Sequence, residues 1–287
     1  MPRLVLALES RTALAGQWPV PSADPRPHAE QSEPQQLADL QELSELCARL
    51  AVSDPVAYEP RLAQVLDELA FCHGLLGAYR QAVEAADRSV ALFRRAADRD
   101  PQGYEPELAR TLANLVIRRS RAEMRDDAVA PAREALAITR RLAETDQSLP
   151  QSLTVQRLEL LAWSLRRTGD DAQALACYTE AERLQRELTA AEPGQGEGTL
   201  TTVLTDFADT LRATVDAHLA ARRFDDAVSA LRRLLALDGR TDLPAVHAAR
   251  LVAFTDAHDL AANEIRRAWQ AATTEPFPSI GDPEGAA

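Results

Sequence analysis

The sequence predicts an all-α protein built as a solenoid of stacked antiparallel helix pairs. Three observations carry that prediction. Aromatic residues make up only 5% of the chain, while Ala, Leu and Arg dominate. This composition suits helices and withholds the β-branched and aromatic residues that strands favour. Self-similarity is the second observation. The phrase Tyr58-Glu59-Pro60-Arg61-Leu62-Ala63 returns 46 residues later as Tyr104-Glu105-Pro106-Glu107-Leu108-Ala109. Gly77, Gln81, Ala82 and Val83 return 92 residues on as Gly169, Gln173, Ala174 and Leu175, with Asp127, Ala128 and Val129 halfway. A fixed spacing of this size signals a helical repeat. The third observation is an apolar ladder in constant register: Leu66/Leu69/Ala70, Leu112/Leu115/Val116, Leu158/Leu161/Ala162 and Leu204/Phe207/Ala208.

In chain order, residues 1–35 read as an N-terminal arm and Pro-rich linker. A short helix from Leu4 to Leu14 is followed by Pro19, Pro21, Pro25, Pro27 and Pro34. Such a stretch reads as a flexible leader, or as an arm folded back into its own array; the leader is favoured. A helix is expected from Gln36 to Val52, where Leu37, Leu40, Leu43, Leu46, Cys47 and Leu50 recur at three and four. It is the second helix of a degenerate first repeat or an N-terminal cap.

The repeat domain spans 36–273, with repeats near 58–103, 104–148, 149–196, 197–242 and 243–273. Each first helix carries the ladder, and Pro60 or Pro106 is tolerated in an opening turn. Second helices begin after a break at Gly77, Glu123 or Gly169. Each carries an Ala where helices approach closely: Ala82, Ala128, Ala174 and Ala227. The last of these comes seven residues late, so the fourth first helix is expected to gain about two turns between Leu211 and Phe224. A final pair, Pro244–His258 and Leu260–Thr273, closes the array, with Trp269 packing back. Residues 274–287 read as a disordered tail.

Charge narrows the partners. The net charge is −12, although all 32 basic residues are Arg. An acidic chain argues against nucleic acid. The absence of Lys suggests a GC-rich, actinobacterial genome. Cys47, Cys72 and Cys177 form no Cys-x-x-Cys pair and suggest small buried residues in a reducing compartment. Glu9 and Arg11 interrupt the N-terminal apolar run, and no stretch reaches the ~18 apolar residues of a membrane span. A cytoplasmic protein without membrane contact, metal or cofactor is expected.

Gly169, Ala174, Leu175, Tyr178 and Ala181, with Leu158, Leu161, Ala162 and Leu165 before them, resemble the tetratricopeptide repeat pattern. Ala82, Val83, Ala128, Val129, Ala135, Ala227 and Val228 repeat parts of it. Glu123 departs from the turn Gly, Val116 from the small residue, and His73 and Arg119 from an apolar position. The spacing of 46 exceeds the usual ~34. It resembles a longer-helix variety, frequent in actinobacteria, in which Tyr-x-Pro-x-Leu-Ala opens each unit. The resemblance implies a right-handed superhelix whose first helices line a concave groove.

By that resemblance Phe71, Ile117 and Trp163 fall on the groove side as one apolar stripe, suited to a partner helix or extended peptide. The competing reading is that long helices bury them in a widened interface. Arg110, Arg118, Arg119 and Arg121, with Arg157, Arg166 and Arg167, form a basic patch. Arg110, Asn114, Ile117 and Arg121 share one helix face. That face could grip a carboxylate or an acidic peptide; solvated charges paired with Glu and Asp are the weightier reading. Asp126-Asp127, Asp170-Asp171 and Asp225-Asp226 each open a second helix, where carboxylates cap free N–H groups and meet the helix dipole.

Two functions follow. The favoured one is a non-enzymatic protein-interaction adaptor holding a peptide or protein through Phe71, Arg110, Asn114, Ile117, Arg121, Trp163, Arg166 and Arg167. The alternative is an enzyme or small-molecule sensor, its groove closed by the arm and the long fourth repeat. That alternative expects a deep apolar cavity near Asp67, Glu159 or Asp209. Homodimerisation stays open.

Overall fold

The computed structural model describes residues 33–146, 149–191, 197–237 and 259–272. Among these it contains ten helices and no strand: α1 Glu33–Ser53, α2 Pro55–Leu75, α3 Tyr79–Arg99, α4 Pro101–Arg121, α5 Arg125–Thr145, α6 Ser152–Thr168, α7 Asp171–Ala191, α8 Glu197–Ala220, α9 Phe224–Ala236 and α10 Asp259–Ala272. The expected arm helix Leu4–Leu14, the helix Pro244–His258 and the tail lie outside the described residues. The chain divides into two compact units, with the boundary between Thr168 and Gly169.

In the first unit each helix packs on the next from α1 to α6, and the first helices α2, α4 and α6 also touch in sequence. The starts of α2 and α4, and those of α3 and α5, are each 46 residues apart. The starts of α5 and α7 keep it too, whereas those of α4 and α6, of α6 and α8 and of α7 and α9 are 51, 45 and 53 apart, so the interval does not hold through the array. The helices do not open on Tyr58 or Tyr104. They open earlier, on Asp54-Pro55 and Asp100-Pro101, and the Asp carboxylates accept from Ala57 N and Gly103 N at 3.1 Å. The carboxylate satisfies one orphan donor, and Pro at the first position loses nothing.

The turns inside each pair share one backbone device. Gly77, Glu123, Gly169 and Arg222 all have positive φ, at 72°, 63°, 83° and 57°. Ala78 N, Met124 N and Arg223 N reach back to the carbonyls of His73, Arg119 and His218 at 2.8–2.9 Å. Each closes the last helical turn as a Schellman motif does. The Ala residues expected at close helix approaches, Ala82, Ala128, Ala174 and Ala227, are at most 1% exposed. In the first pair the Ser89 hydroxyl donates to the Ala63 carbonyl at 2.6 Å. The ladder residues Leu66, Leu112, Val116, Leu158 and Ala162 are buried, as are Cys47 and Cys72, while Cys177 is half-buried.

In the second unit α7 packs on α8, α8 on α9 and α9 on α10. Tyr178 stacks on Phe207 with ring centroids 5.9 Å apart, and the Arg233 guanidinium lies 5.0 Å from the Phe207 ring. Trp269 on α10 is buried. The helix α8 runs 16 residues past Leu204, whereas α4 runs 9 past Leu112. The seven-residue offset therefore lengthens the C-terminal end of α8 by two turns.

Candidate functional site

The eight groove residues named from the sequence all lie in the first unit, on α2, α4 and α6. Register dictates which side of α4 they share. Leu108, Leu112, Leu115 and Val116 face inward and are buried, which leaves Arg110, Asn114, Ile117 and Arg121 along the opposite stripe. Arg110, Ile117 and Arg121 are exposed and Asn114 is half-buried.

The stripe is tied to α2 by one carboxylate. Asp67 has a side chain only 8% exposed. Its Oδ2 accepts from Arg110 Nη1 at 2.7 Å and from Asn114 Nδ2 at 3.1 Å. Arg118 Nη2 stands 3.9 Å from Oδ1 and donates to the Asp67 carbonyl at 3.4 Å. Arg118 Nη1 donates to the Asn114 carbonyl at 3.2 Å. Arg110 also holds Glu107 at 2.9 Å. A buried carboxylate needs this much compensation, since an isolated one would be far too costly. The enzyme reading expected a cavity near Asp67; here its oxygens are engaged by two arginines and an amide.

Burial and cation crowding mark the rest of the cluster. Burial lowers the Arg118 pKa, with Arg110 and Arg121 adding repulsion that Asp67 only partly offsets. Burial also lowers the Arg157 pKa, and Arg110 repels it further. The Arg157 Nε is buried with no acceptor, as are Nε of Arg118 and Arg167. Next to Asp67, the Glu68 carboxyl is raised by burial and then by Asp67, against the pull of Arg110. Glu68 carries no signal of this in sequence; only the neighbouring helix supplies it.

The apolar stripe divides. Ile117 is 40% exposed. Phe71 is half-buried and packs on the core of the unit. Trp163 is half-buried, with the Arg167 guanidinium 5.2 Å from its ring. Arg166 is half-buried on the same helix. Arg119 leaves this face for Asp87 on α3, at 2.7 Å.

A second set of charges, not foreseen from sequence, runs along the seams between helices. Glu59 on α2 meets Arg95 and Arg99 on α3 at 2.9 and 2.7 Å. Its counterpart Glu105 on α4 meets Arg141 on α5 at 2.6 Å. Arg94 donates to Glu134 at 2.9 Å. Burial works to raise the Glu59 carboxyl, but hydrogen bonds and charge from Arg99 and Arg95 hold it below its ordinary value. Both members of the Glu59/Arg95 pair recur at the repeat spacing as Glu105 and Arg141, a signal the sequence already held.

Two clefts stand out among the described residues. One of ≈ 610 Å³ lies in the second unit, among Arg222, Arg223, Asp225, Asp226 and Arg267. The other, ≈ 340 Å³, sits on the seam beside Arg94, Glu105, Glu134 and Arg141. Neither takes in Asp67, Glu159 or Asp209. Asp209 pairs with Arg212 at 2.9 Å with its side chain 42% exposed. The acidic residues at second-helix starts sit in first turns, and Asp170 accepts from Gln173 N at 3.2 Å. Among the described residues no group of His, Cys, Asp and Glu is placed to hold a metal, and no helix is long and apolar enough to cross a membrane.

No family model matches the sequence, and no curated protein matches it. Solved structures match in shape. The apo form of RapI is 10% identical, with a TM-score of 0.52 over 93% of this chain and 97% of that one. BtubC from P. vanneervenii is 17% identical, with a TM-score of 0.46 over 88% and 97%. A Podosopora anserina putative kinesin light chain with nearly identical TPR-like repeats is 16% identical, with a TM-score of 0.47 over 83% and 98%. With its Ala-seamed helix pairs closed by left-handed turns, the chain has the fold of a tetratricopeptide-like helical repeat protein.

Proposed function

We propose that this protein is a non-enzymatic interaction scaffold whose first unit holds a peptide or partner segment against the face formed by α2, α4 and α6. The observation that carries the reading is the stripe on α4. There a large apolar side chain, Ile117, stays exposed between Arg110 and Arg121 while its neighbours on the inward stripe are buried. An exposed apolar residue set among arginines, with Trp163 and Phe71 at the equivalent positions of adjacent first helices, supplies an anchor and polar readers together. The acidic, Lys-free composition fits a cytoplasmic protein of a GC-rich host.

A pull-down from the native host compares the parent with an Ile117→Ser/Trp163→Ala double variant. Specific partners recovered by the parent should be lost by the variant, with its helical circular dichroism unchanged. Equal recovery by a folded variant would remove these residues from the docking surface.

A further inference from the structure

We propose that the cleft of the second unit binds a small phosphate monoester that also carries an ammonium group, its arginines holding the phosphate and its aspartates the ammonium. Such a site is independent of the docking face in the first unit.

The first ground is a set of charges without partners. The cleft of ≈ 610 Å³ is lined by Arg222 and Arg223 at the turn into α9, by Asp225 and Asp226 in the first turn of α9, and by Arg267 on α10. All five are exposed, so a solute can reach them. Among the described residues no hydrogen bond or ion pair engages any of these five side chains. In the first unit, by contrast, Arg94, Arg95, Arg99 and Arg141 each meet a Glu. Here two aspartates share a cleft with three arginines and do not pair with them. The positive end of the α9 dipole compensates these carboxylates instead.

The second ground is the cleft itself. Phe224, Ala268 and Ala271 add an apolar lining. The volume suits a small organic molecule. A ligand seated against that lining displaces water from the charged rim, and ion pairs strengthen as the local dielectric falls.

The third ground is a departure from the repeat. Its two extra turns carry the end of α8 about 10 Å further along the helix axis. At that end, Arg222 and Arg223 stand where the earlier turns have Gly77-Ala78 and Glu123-Met124. All three turns close with the same backbone device, so closure does not require the arginine pair.

Charge balance selects the ligand. Three arginines against two aspartates leave the lining at +1. A phosphate monoester carries about −1.5 to −2 at neutral pH. With one ammonium its net charge comes close to −1. Forked guanidinium groups suit phosphate oxygens, and a compact ammonium suits a carboxylate. The phosphodiester of a lipid headgroup has one ionisable oxygen fewer and leaves the lining unbalanced.

The test is isothermal titration calorimetry of the full chain at low salt. The probes are phosphoethanolamine, inorganic phosphate and the diester glycerophosphoethanolamine. Phosphoethanolamine should bind tightest, about tenfold tighter than inorganic phosphate. Arg267→Gln should weaken it about tenfold, with helical circular dichroism unchanged. The double variant Asp225→Asn/Asp226→Asn should weaken phosphoethanolamine and tighten inorganic phosphate. A misfolded variant could not produce those opposite changes. Equal binding of phosphoethanolamine and phosphate, with the aspartate variant silent, overturns the ammonium seat and the proposal with it. Tighter binding of the diester overturns the choice of a monoester. Binding indifferent to Arg267→Gln overturns this cleft as the site, and no binding of any probe overturns the proposal outright. The Ile117/Trp163 pull-down judges the docking face separately.

Discussion

At the seams of the first unit, Glu59 meets Arg95 and Arg99, and one repeat later Glu105 meets Arg141. On the first-helix face, Asp67 meets Arg110 and Asn114 with Arg118 close by, and the buried Arg157 Nε has no acceptor. The two regions use the same side chains differently. The Glu59–Arg95 pair recurs once with the repeat, as Glu105–Arg141, and both arginines are about half exposed. The face is irregular: Asp67, Ala113 and Glu159 occupy equivalent positions, as do Val65, Thr111 and Arg157. The seam pair follows the repeat from one unit to the next, whereas the Asp67 network occurs once among the first helices.

The largest expected effect breaks or sustains this comparison directly. Asp67→Ala should cost about 3 kcal/mol, because it leaves the nearly buried Arg118 without its counter-charge. Urea unfolding of the first unit measures it. A cost no greater than that of a seam variant would end the distinction between the two regions.

Backbone strain sets a scale free of charge effects. Glu123 adopts a left-handed conformation that Gly77 occupies in the preceding pair. Glu123→Gly should stabilise by about 1 kcal/mol, since its exposed contact with Arg125 is worth little. Thermal melts of that variant and of Gly77→Ala should move in opposite directions.

Smaller still is the seam itself. Glu105→Gln should cost about 0.5 kcal/mol, because Arg141 stays half exposed and hydrated. A loss comparable to that of Asp67→Ala would promote the seam from packing to a principal source of stability.

The smallest effect depends on pH. The folded pKa of Glu68 is raised above its ordinary 4.5, so its ionised form is disfavoured by folding at neutral pH. Glu68→Gln should therefore be slightly more stable than the parent at neutral pH. The advantage should fade as pH falls through the folded pKa and the parent carboxyl protonates. Glu59 has the opposite sign: its lowered pKa gives stability that is lost as pH falls through it. Urea midpoints at neutral pH and near 4.5 separate the two. A constant Glu68→Gln advantage across that range would show that charge is not its cause.

Much of the fold was legible in the chain. The Ala positions, the ladder, the turns at Gly77 and Gly169, and the lengthened helix before Phe224 all follow from periodicity, because each repeat must bury the same stripe against its neighbours. The helix starts were read too late. The Tyr-Glu-Pro phrase recurs more conspicuously than Asp-Pro, yet the capping carboxylate and the first-position Pro determine where a helix can begin. In the seam, Glu59 and Arg95 lie 36 residues apart and could be paired only by noticing that both recur.

The site was legible as a set of residues and not as a network. Sequence placed Arg110, Asn114, Ile117 and Arg121 on one face by helical geometry alone. It could not show that Asp67, on another helix, had already engaged Arg110 and Asn114, or that the Arg157 Nε was buried without an acceptor. By itself the sequence determined what is local and periodic: helices, their inward stripes and the charge on each, since these depend on spacing along the chain. Only the tertiary structure decided which charges meet across helices and how deeply they are buried. Coulombic pairing and desolvation act through distances and dielectric surroundings that no single helix contains.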